Sequence, residues 1–403
     1  MQQNKPLNEI DLINNTDPVC VEVCVKTEYA DDLRLLKMEV YDFLQSEPVF
    51  QDNIAALSEY PRLENTLEFI RISSSNFHSR LPKNYIVRYY STPSTDYVED
   101  LTLSEDPSLS AATITNLPCS RFQNTWESLY FEDYVKESLL SYTHAALRLS
   151  AINVHPSIVS VNRSILLHGP SGTGKTTFSQ GLAQKIAIQM QPTYTATFLV
   201  EIHAHSLFSK SITDLGKVIS SLFQQIKKLA SEKYLVFVLL DEVESLAVSR
   251  KTMLNSADSA DTIRAVNSLL SQLDSLNRFT NIFLLSTSNI SESLDLAFID
   301  RCDLKILFSN PGYSARYSIL NSCFEEMFTK GIFINDVEIG LFEELVNSTE
   351  NWSGRMLRRL PFLTFVKKFA YYEGNISLSE FIRESLVVVK EEEINHYHSF
   401  PPQ

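Results

Sequence analysis

The chain has 403 residues, 44% of them hydrophobic and 21% charged, which predicts a folded, soluble protein of two or three compact units. Its formal net charge is −14, and residues 1–110 alone hold nine Lys/Arg against nineteen Asp/Glu, a balance that argues against a duplex nucleic-acid binder and favours a protein partner. No run of 18 apolar residues occurs and the start, "MQQNKPLNEIDL", has no apolar core, so neither a membrane span nor a secretory leader is expected.

In chain order, the first elements are a strand-like run, "PVCVEVCVKT", and a helix-like one, "DDLRLLKMEVYDFLQ". Two more strand-like runs follow, "NTLEFIRIS" and "NYIVRYYS". Together they predict a small α+β domain over residues 1–95. Its Cys20 and Cys24 fall on one face of a strand. No second pair or His cluster completes a metal site, and five scattered cysteines fit free thiols. The polar, acidic stretch "TPSTDYVEDLTLSEDPSLSAA" predicts a linker, taken as residues 96–112. A helical region then runs through "NTWESLYFEDYVKESLLSYTHAALRLSA".

From about residue 161 the pattern changes. The apolar runs "SILLHG", "TFLVEIHA", "YLVFVLLDE", "NIFLLSTSN" and "DLKILFS" alternate with amphipathic helices. Near-continuous apolar strands separated by helices predict an α/β fold with a parallel sheet covered on both faces. Residues 113–310 are assigned to this subdomain and residues 311–403, mostly helical, to a second one.

Gly169-Pro170-Ser171-Gly172-Thr173-Gly174-Lys175-Thr176 fits G-x-x-x-x-G-K-[ST], follows a strand and precedes a helix, as a phosphate-binding loop must. Three of only ten glycines lie in it. They let backbone N–H groups converge on phosphate oxygens at a helix N-terminus. Lys175 neutralises the β- and γ-phosphates, and the Thr176 hydroxyl holds Mg²⁺. The expected cofactors are therefore ATP and Mg²⁺. About 65 residues on, "YLVFVLLDEVESL" ends an apolar strand in Asp241, for the magnesium shell, and Glu242, for the attacking water. Asn289, at the end of the next strand, can orient the same water.

Two arginines complete the set. Arg301, in "LDLAFIDRCDLK", stands before the last strand, on the wrong side of the domain to reach its own nucleotide. It is expected to enter a neighbour's site as an arginine finger; the alternative is a surface arginine paired with Asp300 or Asp303. Arg355, at the start of "SGRMLRRL", can bend back to the γ-phosphate and report it to the C-terminal helices.

The segments "LLHGPSGTGKTTF", "EIHAHSLFSKS", "LVFVLLDEVESLAVSR", "DTIRAVNSLLSQLD", "STSNISESLDLAFIDRCDLK" and "SGRMLRRLPFL" lie in order over about half the chain. They resemble AAA+ ATPases and, more narrowly, the pachytene checkpoint ATPase family. "TWESLYFE" and the "VCVEV" strand are also similar. The resemblance implies an AAA+ P-loop fold with a helical lid at 311–403 and an N-terminal domain that binds a client or adaptor. It implies a homohexameric ring that remodels HORMA-domain proteins, acting with a HORMA-type adaptor in meiotic chromosome axes and the spindle checkpoint. A protein of the nucleus and cytoplasm, chromosome-associated in meiosis, follows from the same resemblance. Where the family carries an aromatic after "SLFSK", this chain has Ser211-Ile212, so grip on a threaded client falls to Ile212. The alternatives are a DNA-associated AAA+ protein of clamp-loader type, for which "DRC" speaks and the acidic N-terminal domain does not, and a non-ring ATP switch. Direct nucleic-acid binding is not expected, and no H-E-x-x-H motif supports a protease.

Overall fold

The computed structural model describes residues 19–29, 33–46, 48, 50, 51, 53–73, 85–93, 96–103, 106–131, 135–152, 154, 158, 159, 161, 163–191, 193–203, 215–231, 234–247, 259–290, 294–334, 340–371 and 374–399. They form two compact units. The first holds the described residues up to Asp96, with Pro118–Arg121 and Ala187–Thr193; the second holds the rest.

The first unit is built on five strands, β1 (Val19–Val25), β2 (Phe50–Gln51), β3 (Ile54–Ala55), β4 (Leu67–Ser73) and β5 (Tyr85–Tyr90), in the order β2-β3-β4-β1-β5. β1 runs antiparallel to β4 and parallel to β5. Alternation in "VCVEVCV" sends Val21, Val23 and Val25 to one face, where helix α1 (Leu33–Gln45) adds Leu36, Val40, Phe43 and Leu44. A short helix α2 (Pro61–Thr66), with proline in its first turn, leads into β4.

The second unit has a seven-stranded sheet. Its strands are β6 (Val98–Leu103), β7 (Asp106–Leu117), β8 (Ser164–His168), β9 (Thr197–His203), β10 (Leu235–Asp241), β11 (Ile282–Ser288) and β12 (Leu304–Leu307), in the order β12-β8-β11-β10-β9-β7-β6. The five strands from β12 to β9 are parallel, and β10 is almost wholly buried. The associated helices are α3 (Val135–Ala151), α4 (Lys175–Met190), α5 (Leu215–Ser231), α6 (Ser259–Leu276) and the short α7 (Leu296–Ile299).

The expected linker is corrected here. Residues 98–103 and 106–117 pair as an antiparallel hairpin, and β7 continues onto β9 with Ala112 opposite Ile202 and Leu117 opposite Thr197. Leu101, Ala111, Ala112 and Ile114 are buried in the same core as Val200 and Ile202. In β7 adjacent residues are buried in pairs, Ala111 with Ala112 and Ile114 with Thr115, so no period-2 alternation marks the strand in the sequence. The antiparallel pair caps one edge of a sheet that the sequence predicts as parallel throughout.

After β12 come α8 (Tyr313–Thr329), α9 (Leu341–Ser348), α10 (Gly354–Thr364) and α11 (Leu378–Ser399), with a two-strand pairing of β13 (Phe333–Ile334) and β14 (Ile376–Ser377). They enclose their own core around Leu320, Phe324, Trp352, Leu357, Leu360 and Phe381. Among the described residues no helix is long and apolar enough to cross a membrane.

Candidate nucleotide site

The loop between β8 and α4 lies at the C-terminal end of the parallel strands, the rim where open α/β sheets bind ligands. Its shape needs glycine at two contacts. Gly169 has φ +143°, its N–H donates to the Ser288 carbonyl at 3.2 Å, and a Cβ there would lie 2.1 Å from the Phe308 carbonyl oxygen. Gly172 has φ +78°, and a Cβ there would lie 2.8 Å from Ser353 Oγ and 3.1 Å from Arg355 Cβ. The side chains of the lid helix α10 thus meet the loop backbone.

Lys175 opens α4 and is almost fully buried. Its Nζ donates to the Gly169 carbonyl at 2.8 Å and the Pro170 carbonyl at 2.7 Å. Burial lowers its pKa, Arg355 lowers it further, and the carboxylates of Glu244 and Asp241 oppose the shift. Thr173, in the same loop, donates to the Pro170 carbonyl at 3.0 Å. Ser171 stands exposed, and Gly174 takes φ +94° beside Leu129.

Thr176 Oγ1 donates to Asp241 Oδ1 at 2.8 Å, and the Thr287 hydroxyl donates to the same oxygen. Hydroxyl and carboxylate on one point suit a small, hard cation that takes its remaining ligands from phosphate and water. Glu242 follows with left-handed backbone (φ 52°, ψ 50°), and its N–H donates to Thr287 Oγ1 at 3.2 Å. Such a conformation is costly for a non-glycine residue and recurs at functional sites. Asn289 follows β11, and its N–H donates to Glu244 Oε1 at 3.0 Å.

The predicted residues therefore divide into three groups. Gly169 to Thr176, Asp241, Glu242 and Asn289 converge at one rim, and Arg355 joins them through its backbone N–H, which donates to the Gly172 carbonyl at 3.1 Å. Ser353 caps α10 by accepting from the Met356 N–H at 3.4 Å. Arg301 is elsewhere. The loop it belongs to returns at Asp303, which exchanges bonds with Ser164 at the N-terminal end of β8, whereas the phosphate loop leaves the C-terminal end. Arg301 forms a bidentate pair with Asp274 at 2.7 and 2.9 Å and donates to the Ala297 carbonyl at 2.7 Å; its partner is thus neither Asp300 nor Asp303. Ser211 and Ile212 lie outside the described residues.

Four features escaped the sequence reading. Trp126 and Phe131 pack on Phe178 of α4 at 5.2 and 5.6 Å between ring centres, and Phe308 closes the cluster. The Ser128 carbonyl accepts from Arg358 of the lid. Lys136 donates to the Trp126 and Leu129 carbonyls, and its burial lowers its pKa to about 8. Only the string "TWESLYFE" signalled this segment. The fourth feature is Glu244, to which the sequence reading gave no role.

Residues 165–310 match the family described as "ATPase family associated with various cellular activities (AAA)". A "Pachytene checkpoint protein 2 homolog" of Gallus gallus is 38% identical over 322 residues, 74% of this chain and 73% of the relative. The chain belongs to the pachytene checkpoint protein 2 family. Homologues from Oryza sativa subsp. indica and Arabidopsis thaliana are 40% and 42% identical, and the match spans only about three fifths of their length, 62% and 60%. The structure described as C. elegans PCH-2 matches with a TM-score of 0.77 and 29% identity, over 94% of this chain and all of the other. A chain from the E. coli MS115-1 HORMA:CdnC:Trip13 complex matches with a TM-score of 0.57 at 19% identity, over 69% of this chain and 94% of that one, a likeness of fold. The phosphate loop, Asp241 and Glu242 all lie within the stretch that matches the AAA family.

Proposed function

We propose that the protein is an ATP-driven remodeller of HORMA-domain proteins, working as a homohexameric ring with a HORMA-type adaptor. Lys175 and the loop amides hold the phosphates, Thr176 and Asp241 hold Mg²⁺, and Glu242 takes the proton of the attacking water with Asn289 orienting it. Arg355 senses the γ-phosphate from the lid. Arg301 acts on the nucleotide of the neighbouring subunit. The N-terminal unit binds the client or adaptor, and the Ser211-Ile212 loop grips the client. The protein works in the nucleus and cytoplasm, on chromosome axes in meiosis and in the spindle checkpoint.

One observation carries this reading. The phosphate-binding residues stand at the C-terminal end of β8 and Arg301 beyond its N-terminal end, about 16 Å away along five residues of strand. An arginine so placed has no use in its own site and a clear one in an interface. The naming of a HORMA protein in the E. coli complex supports the client class. The test is to trap the Glu242→Gln protein with ATP, measure its mass and identify what is retained. A six-subunit particle holding a HORMA protein is expected. A monomer, or nucleic acid as the sole retained partner, would overturn the proposal.

A further inference from the structure

The acidic residue after the catalytic pair has a place that the P-loop, Asp241 and Glu242 do not explain. Glu244 lies in the 3-10 turn Val243–Ser245. That turn is fixed from both sides: Val243, Leu246 and Ala247 are buried, the Ala247 N–H donates to the Val243 carbonyl at 2.8 Å, and the Ala247 carbonyl accepts from the Asp295 N–H at 2.9 Å. With the turn locked, the Glu244 side chain reaches the exit of β11, and Oε1 accepts the Asn289 N–H. Oε2 is buried and has no hydrogen-bond partner among the described residues. A carboxylate oxygen enclosed without a donor is destabilising, so an apolar residue would suit a purely structural position better.

The exit of β11 is held at three successive residues. The Ser288 carbonyl accepts from Gly169 in the phosphate loop at 3.2 Å, the Asn289 N–H is held by Glu244, and the Ile290 N–H donates to Ser288 Oγ at 3.2 Å. Asn289 thus hangs between the phosphate loop and the turn that carries Glu242. The Glu244 charge also acts on the Lys175 ammonium, opposing the lowering of its pKa by burial.

We propose that Glu244 is a positioning residue for ATP hydrolysis, holding the backbone at Asn289 so that the Asn289 amide stays aligned with the water that Glu242 serves. This rests on the reading of Asn289 given above. A charge-assisted hydrogen bond to a backbone N–H is strong and directional, and small misplacements of an orienting group are costly in rate.

The test is a cycle of wild type, Glu244→Ala, Asn289→Ala and the double variant, with Glu244→Gln as the variant that keeps an acceptor oxygen. ATPase kinetics, affinity for a fluorescent ATP analogue and thermal unfolding are measured for each. Glu244→Ala should lower kcat about tenfold or more, with KM and analogue affinity within about threefold. The double variant should be no more than about twofold slower than Asn289→Ala, because a misplaced backbone has no consequence once the amide is gone. Glu244→Gln should keep at least about one third of wild-type kcat. Losses that multiply in the double variant would overturn the inference, as would a folded Glu244→Gln protein as slow as Glu244→Ala. Full kcat in Asn289→Ala would instead remove the role of Asn289 itself, and the inference with it.

Discussion

The Arg355 N–H donates to the Gly172 carbonyl at 3.1 Å, so the first turn of the lid helix rests on the phosphate-binding loop. Helix N-termini carry unpaired N–H groups, and here one of them is satisfied by the Gly172 carbonyl of the glycine-rich loop. Lid and loop therefore share a contact that any movement of either must break. Gly172→Ala puts a methyl group into this contact, where 2.8 Å to Ser353 Oγ leaves no room. It also places alanine in left-handed backbone, which costs about 1–2 kcal/mol. Affinity for ATP is expected to fall by roughly tenfold or more. Arg355→Ala keeps the N–H and removes only the guanidinium, so binding should stay within about threefold while hydrolysis drops. Nucleotide titration of both variants checks this; equal loss of binding would show that the side chain, not the backbone seat, holds the lid.

Lys175→Ala and Glu242→Gln should fail differently. The first removes a buried charge held 2.7–2.8 Å from two loop carbonyls and should abolish nucleotide binding. The second keeps shape and removes the base, so ATP binds and turnover falls about 10²-fold or more. Binding measured apart from turnover separates the two, and identical phenotypes would contradict the assignment.

Arg301→Ala should leave single-subunit nucleotide binding intact and remove hydrolysis by the assembly, at the scale of about 10³–10⁵ seen for arginine fingers. Mixing it with Glu242→Gln subunits should restore activity at interfaces that join an intact Glu242 to an intact Arg301. Mixed assemblies with no more activity than their parts would leave Arg301 as half of a surface pair. Asp274→Ala should change stability by no more than about 1 kcal/mol, since both partners are solvent-accessible.

Burial pushes the Cys24 thiol up to about 12 and the Cys302 thiol up to about 11, from a usual value of 9.0. The folded state favours the neutral thiols, so their contribution to stability is complete below pH 9. It is lost progressively from there to pH 11–12 as the unfolded chain ionises first. Alkylation at pH 8 should label Cys20 and Cys323, which are partly exposed, well before Cys24, Cys119 and Cys302. Unfolding midpoints across pH 8–11, compared with Cys302→Ser, check the linkage; a flat difference would deny it.

Much of this protein was legible in its sequence because its signals are local. The glycine spacing of 169–176 needs only a strand before it and a helix after it, and the apolar run ending in Asp241-Glu242 announces a buried parallel strand by itself. The helix over Leu33–Gln45 follows from its own periodicity. Other features depend on which distant residues meet. β6 and β7 looked like a linker because β7 becomes a strand only by pairing with β9, whose register buries Ala112 and Ile114. Asp274 as the partner of Arg301 lies 27 residues away, with β11 and α7 between them. Glu244 differs from a surface glutamate only in that folding removes water from one of its oxygens and gives the other to Asn289. The chain's order determined the chemistry it carries; the burial of the sheet and the seating of the lid decided which groups that chemistry can reach, because hydrogen bonds and charges act over ångströms in space and not along the sequence.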